Sequence, residues 1–243
     1  MAKTVRPSRP PDTYRYHTQR PLNCLVLVLP LLVFFQLGTA YYGTQLLAPR
    51  DIGRLLSFFG ATAAYLPALL VVGVLVFMHI AHRDPLRVQT RVLAGMVAES
   101  ILWMIPLAVG AHLMGKLALQ STAAAEMTNT MLQDALLAVG AGIYEEFIFR
   151  LVLISLTLCL LVDVFELKKD TATLIAVALS AVTFSAYHFS GSDLGGASFP
   201  WGQFVFRLLA GAYLGGLYAG RGFGIAVGAH TLYDIYVLAW QSG

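Results

Sequence analysis

The chain has 243 residues, of which 58% are hydrophobic and only 12% charged, with a mean hydropathy of +0.71. Soluble domains carry about 25% charged residues, and disordered chains combine low hydrophobicity with high charge, so both classes are excluded. A net charge of +3, from 16 Lys and Arg against 13 Asp and Glu, is too small and too dispersed for a nucleic-acid surface.

The expected fold is therefore all-α: a polytopic transmembrane bundle of about seven, at most eight, membrane helices. Residues 1–21 are polar, Pro-rich and basic (Lys3, Arg6, Arg9, Arg15 and Arg20) and read as a disordered arm. A helix crosses the hydrocarbon core with about 20 apolar residues, which gives spans near 22–43, 62–82, 92–113, 133–162, 171–189, 203–220 and 223–240. The fourth is too long for one upright crossing and is expected to tilt or to run along the interface. Residues 51–60 read as a short interfacial helix. Span one has a basic flank and a small-residue Gly38-Thr39-Ala40 site, as secretory signals do, but its apolar run is long enough to read as an uncleaved anchor. With the N-terminus inside, eleven Lys and Arg fall on the inner segments and three on the outer ones, which predicts a cytoplasmic N-terminus in the cell membrane. Cys24 and Cys159 lie in apolar runs and read as small core or lipid-facing residues. Gly211, Ala212, Gly215, Gly216, Gly220, Gly224 and Gly228 form small-residue stripes that let helix backbones approach in lipid.

Ionisable groups inside spans usually face the bundle interior or a wet cavity. Here they are Glu99, then Glu145, Glu146 and Arg150, then His188, Arg207, and His230 with Asp234. Residues four apart share a helix face, so Glu146 pairs with Arg150. Glu145, about 100° around the axis, has no local cation and suits general-base work; the two roles can also be exchanged. His230 and Asp234 are likewise one turn apart, and a carboxylate so placed can fix a histidine's tautomer and orientation. Each pattern alone has a packing explanation, a buried ion pair or an interfacial histidine. Glu99 and Arg207 have no motif around them and read as structural. What points to chemistry is the ordered set of all three patterns, each on a different span.

At Glu145-Glu146-x-x-x-Arg150, Phe184-x-x-x-His188 and His230-x-x-x-Asp234 the chain resembles the CAAX protease and bacteriocin-processing (CPBP, or Abi) family. The resemblance implies an intramembrane endopeptidase region at 121–243, preceded by N-terminal membrane helices at 22–120. It also implies that Glu145 and His188 activate the attacking water, that His230 and residue 234 stabilise the oxyanion, and that Glu146 and Arg150 support them. The substrate would be a peptide or protein at the membrane, of CAAX type (and then prenylated) or another kind, with no cofactor and no resident metal. Well-understood members have Asn where this chain has Asp234. An amide can donate to an oxyanion and an ionised carboxylate cannot, so either Asp234 carries a proton or it orients His230, which then donates alone.

The signatures of other intramembrane proteases are missing from the sequence: it has no His-Glu-x-x-His, no Gly-x-Ser-Gly and no Gly-x-Gly-Asp. A zinc-dependent version of the same protease stands as an alternative, because Glu145, His188, His230 and Asp234 are acceptable ligand types. So does a non-catalytic scaffold or transporter built on the same fold.

Overall fold

A computed structural model describes residues 13–42, 65–114, 131–189 and 199–241. Among them are eight helices and no strand. In chain order they are α1 (Tyr14–Gln19), α2 (Pro21–Tyr42), α3 (Leu66–His82), α4 (Thr90–Met114), α5 (Met131–Val164), α6 (Lys169–Tyr187), α7 (Trp201–Arg221) and α8 (Phe223–Gln241). The expected spans coincide with α2 to α8 to within a few residues wherever the chain is described. Four of the helices, α2, α4, α5 and α6, are long and apolar enough to cross a membrane. The expected helix at 51–60 lies outside the described residues, as does 1–12 of the basic arm.

From Thr13 onward that arm is a docked helix rather than a disordered tail. The Thr13 side chain caps α1 by accepting from the Tyr16 amide at 3.3 Å. Tyr16 donates to Asp84 at 2.8 Å, a bond that, with partial burial, pushes its phenol above the ordinary value. Arg15 and Gln19 donate to the carbonyls of Gly220 and Ala219 at the end of α7, and the buried Arg20 binds the carbonyls of Pro85 and Arg87. Arg15 and Gln19 thus meet carbonyls that the end of α7 leaves open, and Arg20 meets those of the α3–α4 connection.

The long fourth span is one continuous helix. It accommodates its 34 residues through two wider π-helical turns, at Phe147–Val152 and Cys159–Val164. Its first two thirds enter the core, and its last turns are exposed. The long-range packing is set by small residues. A Cβ on Gly211 would stand 3.1 Å from the Ala181 backbone, one on Gly215 at 3.1 Å from Val177, and one on Gly224 at 3.2 Å from the Cys24 backbone. Gly228 abuts Ser100, whereas Gly216 and Gly220 face open space. Only part of the small-residue stripe is therefore a contact. Gly222, at φ +96°, makes the break between α7 and α8, a conformation that favours glycine. Cys24 is buried and Cys159 exposed, both as free thiols.

Candidate active site

The two adjacent glutamates sit mid-bundle on α5. Their helix is held against α8 by Gly142, where a Cβ would lie 2.9 Å from the Thr231 backbone nitrogen. Directly after Glu146 the helix widens into the π-turn of Phe147–Val152. Such turns recur at functional sites.

Glu146 and Arg150 are wholly buried. Arg150 Nε stands 3.2 Å from Glu146 Oε2, and its Nη2 donates to the Gly211 carbonyl at 3.4 Å. The guanidinium lies 4.3 Å over the Phe184 ring. The other Glu146 oxygen, Oε1, is 2.8 Å from His230 Nδ1. Glu146 thus bridges the arginine one turn away and a histidine on another helix.

His230 turns its second nitrogen toward the other two carboxylates. Its Nε2 lies 3.4 Å from Asp234 Oδ2 and 3.9 Å from Glu145 Oε2. Glu145 Oε1 lies 3.7 Å from His188 Nε2. His188 is the C-cap of α6, and its Nδ1 is 2.8 Å from the Phe184 carbonyl. A carbonyl only accepts, so Nδ1 is the donor there, and a neutral His188 presents the lone pair of Nε2 to Glu145. The Phe184 ring stacks edgewise on both imidazoles, 4.8 Å from His188 and 6.1 Å from His230.

All six residues singled out from the sequence, Glu145, Glu146, Arg150, His188, His230 and Asp234, therefore converge. The cluster has two layers. Glu146 and Arg150 are sealed, whereas the side chains of Glu145, His188 and Asp234 are 14%, 23% and 17% exposed. The sequence could pair Glu146 only with Arg150; its bond to His230 spans 84 residues and needs the packed fold. That bond gives Glu146 the ring-orienting place that the sequence offered to Asp234. The 3.4 Å contact of Asp234 is instead with Nε2, where a proton must sit on one partner, because a bare ring nitrogen and an ionised carboxylate both only accept. Phe184 was visible as a motif letter, but its place between a guanidinium and two imidazoles was not. Among the described residues no three His, Cys, Asp or Glu form a group suited to hold a metal ion.

Of the two residues read as structural, Glu99 is engaged elsewhere. Glu99 Oε2 accepts from Arg221 Nε at 2.7 Å and from Trp103 at 3.4 Å. The Arg207 guanidinium lies 5.0 Å over the Phe189 ring.

Residues 127–236 match the family model described as type II CAAX prenyl endopeptidase Rce1-like. This stretch is Rce1-like. It holds α5 to α7 and most of α8, including every residue of the cluster, and it agrees with the resemblance drawn from the three motifs. No curated protein and no solved structure matches the chain. At family level the match supports a hydrolase, a CAAX-type endopeptidase of a family that acts on membrane-associated peptides, and with the apolar helices it fits an integral membrane protein.

Proposed function

We propose that residues 121–243, built around the Rce1-like stretch 127–236, are a glutamate- and histidine-dependent intramembrane endopeptidase. The observation that carries the reading is the position of the Glu145 carboxylate, 3.7 Å and 3.9 Å from the two imidazoles, on the partly exposed side of a cluster whose other side is closed. Water between Glu145 and His188 attacks the scissile carbonyl carbon and gives a proton to Glu145. The carbonyl oxygen becomes an oxyanion facing His230 Nε2, which donates when the ring carries both protons; its Nδ1–H stays on Glu146. The carbon–nitrogen bond then breaks, and the proton held by Glu145 passes to the leaving nitrogen. Removing one oxyanion donor typically costs about 3–4 kcal/mol of transition-state stabilisation, and general acid–base transfer contributes about 10²–10⁴-fold.

The substrate on this reading is a membrane-associated peptide or protein, prenylated CAAX chains being the first class to try. The membrane is the cell membrane, with the N-terminus cytoplasmic. The test is purified protein incubated with a prenylated CAAX peptide and with a peptide library, wild type beside Glu145→Ala. Cleavage by wild type alone is expected. Equal cleavage by both removes Glu145 from the mechanism. Turnover that survives chelation is expected in the same assay; loss of turnover restored by Zn²⁺ would move the chemistry to a metal.

A further inference from the structure

Arg207 belongs to the rim of the cluster. It lies on α7 one turn before Gly211, and Gly211 packs on α6, where a Cβ would stand 3.1 Å from both the Ala181 backbone and the Phe184 ring. Residues four apart share a helix face, so Arg207 is on the face that α7 turns to α6. The Ser185 hydroxyl donates to the Phe204 carbonyl at 2.8 Å, which pins the last turn of α6 to the first turn of α7. The Arg207 guanidinium comes to 5.0 Å over the ring of Phe189, the residue after His188. Its charge is close enough to act on the His188 imidazole and on the Tyr233 phenol of α8. Phe189 is buried, whereas Arg207, His188 and Tyr233 are all partly exposed.

The accessible side of the site therefore joins two unlike parts. Around the imidazoles stand the carboxyl groups of Glu145 and Asp234. Beyond His188 stands a permanent cation. An anionic group on a bound peptide is repelled by the first and drawn to the second. A guanidinium grips a carboxylate through two parallel N–H···O bonds, and one stacked on an aromatic face can still donate from its edge. A CAAX chain ends in a free α-carboxylate three residues past its cysteine. At 3.3–3.6 Å per extended residue, that end lies about 10 Å from the cysteine. From Glu145 the contacts run to His188 at 3.7 Å, then to its neighbour Phe189 and the guanidinium above that ring, a path on the same scale.

We infer that Arg207 is the subsite for the substrate's C-terminal carboxylate, so that the protein recognises a chain end and the guanidinium sets how far from that end the peptide is cut. This rests on the endopeptidase reading. It gives Arg207, which the sequence offered only as structural, a part in specificity.

The test uses one prenylated CAAX peptide made in two forms, with a free C-terminal carboxylate and with a C-terminal amide. Wild type should cleave the acid with a kcat/KM about tenfold or more above that of the amide, as hydrogen bonds to a charged group give, the difference falling mainly in KM. In Arg207→Gln that ratio should collapse to about one. Arg207→Lys keeps the charge without the two-pronged geometry and should restore part of it. An arginine that only props Phe189 and the end of α6 would lower turnover of both forms alike and leave the ratio at its wild-type value, which overturns the inference. So does a wild type that does not distinguish the two forms. Binding of the same peptides, fluorescently labelled, to Glu145→Gln protein reads the preference without turnover. The acid should bind about tenfold or more tightly, and the double variant Glu145→Gln, Arg207→Gln should bind both forms equally. Cleavage of neither form by wild type in detergent defeats the endopeptidase reading, while the binding ratio still decides where the carboxylate is held.

Discussion

Two of the charge clusters among the described residues are built differently. Where α7 ends, Glu99 on α4 meets Arg221 on α7, with Trp103 donating to the same carboxylate and the Tyr14 ring 5.4 Å beneath the guanidinium. One acid faces one base, and the pair is balanced. In the Rce1-like region three carboxylates, Glu145, Glu146 and Asp234, surround two imidazoles, with the Arg150 guanidinium beside Glu146. That arrangement is balanced only with protons. A balanced pair fixes helices; a cluster that needs protons can pass them. On the endopeptidase reading proposed above, the difference separates a fastening from a reaction centre more clearly than burial does, since both clusters include partly exposed groups.

The largest effect that would break this comparison belongs to Glu145→Gln. Removal of the base should lower turnover by about 10²–10⁴-fold with helicity and detergent elution profile unchanged; full turnover in the peptide assay would leave the cluster without a catalytic base. Next comes Arg150→Met, which leaves Glu146 buried without its cation and should cost about 3–5 kcal/mol in detergent unfolding experiments. The double variant Glu146→Gln, Arg150→Met should recover part of that loss. In the balanced cluster Glu99→Gln should cost about 1 kcal/mol or less, as partly exposed pairs do, with kcat unchanged. A large fall in kcat there would give that pair a share in the chemistry. Asp234→Asn should retain activity, measured as kcat/KM, because an amide can donate to the oxyanion beside His230 where an ionised carboxylate cannot. Smallest is the contrast of two glycines on α7. Gly211→Ala meets the Ala181 backbone and should destabilise by about 1–3 kcal/mol, whereas Gly216→Ala meets nothing and should shift the unfolding midpoint slightly upward or not at all.

Much of this was legible in the amino-acid order. Hydropathy located the spans because a lipid-facing helix needs apolar residues on nearly every side, and the three motifs named the site because ionisable groups inside a membrane are rare enough to stand out. What stayed hidden depends on distant contacts. The Glu146–His230 bond joins helices 84 residues apart. Gly142 gives no sign in the sequence that it meets Thr231, since one glycine in an apolar helix looks like any other. Glu99 had no motif because its partner, Arg221, lies 122 residues away. α1 was misjudged because its donors are satisfied by carbonyls of other helices, a feature that polarity alone does not reveal.

The widened turn at Phe147–Val152 has a consequence for how this protein tolerates change in length. A π-turn holds one residue more than the regular spiral does. Deleting a single residue there would let the helix close to ordinary winding with everything beyond it still facing as before, so the change would fall on the residues inside the turn. A deletion ahead of Arg150 would move it off the Phe184 ring, whereas Ser155 would keep Tyr218, its neighbour at 3.2 Å. Composition and hydropathy would barely alter, yet the supporting layer beneath Glu145 would be gone. The count of residues between Glu146 and Leu153, as much as their chemistry, is therefore part of what the site requires.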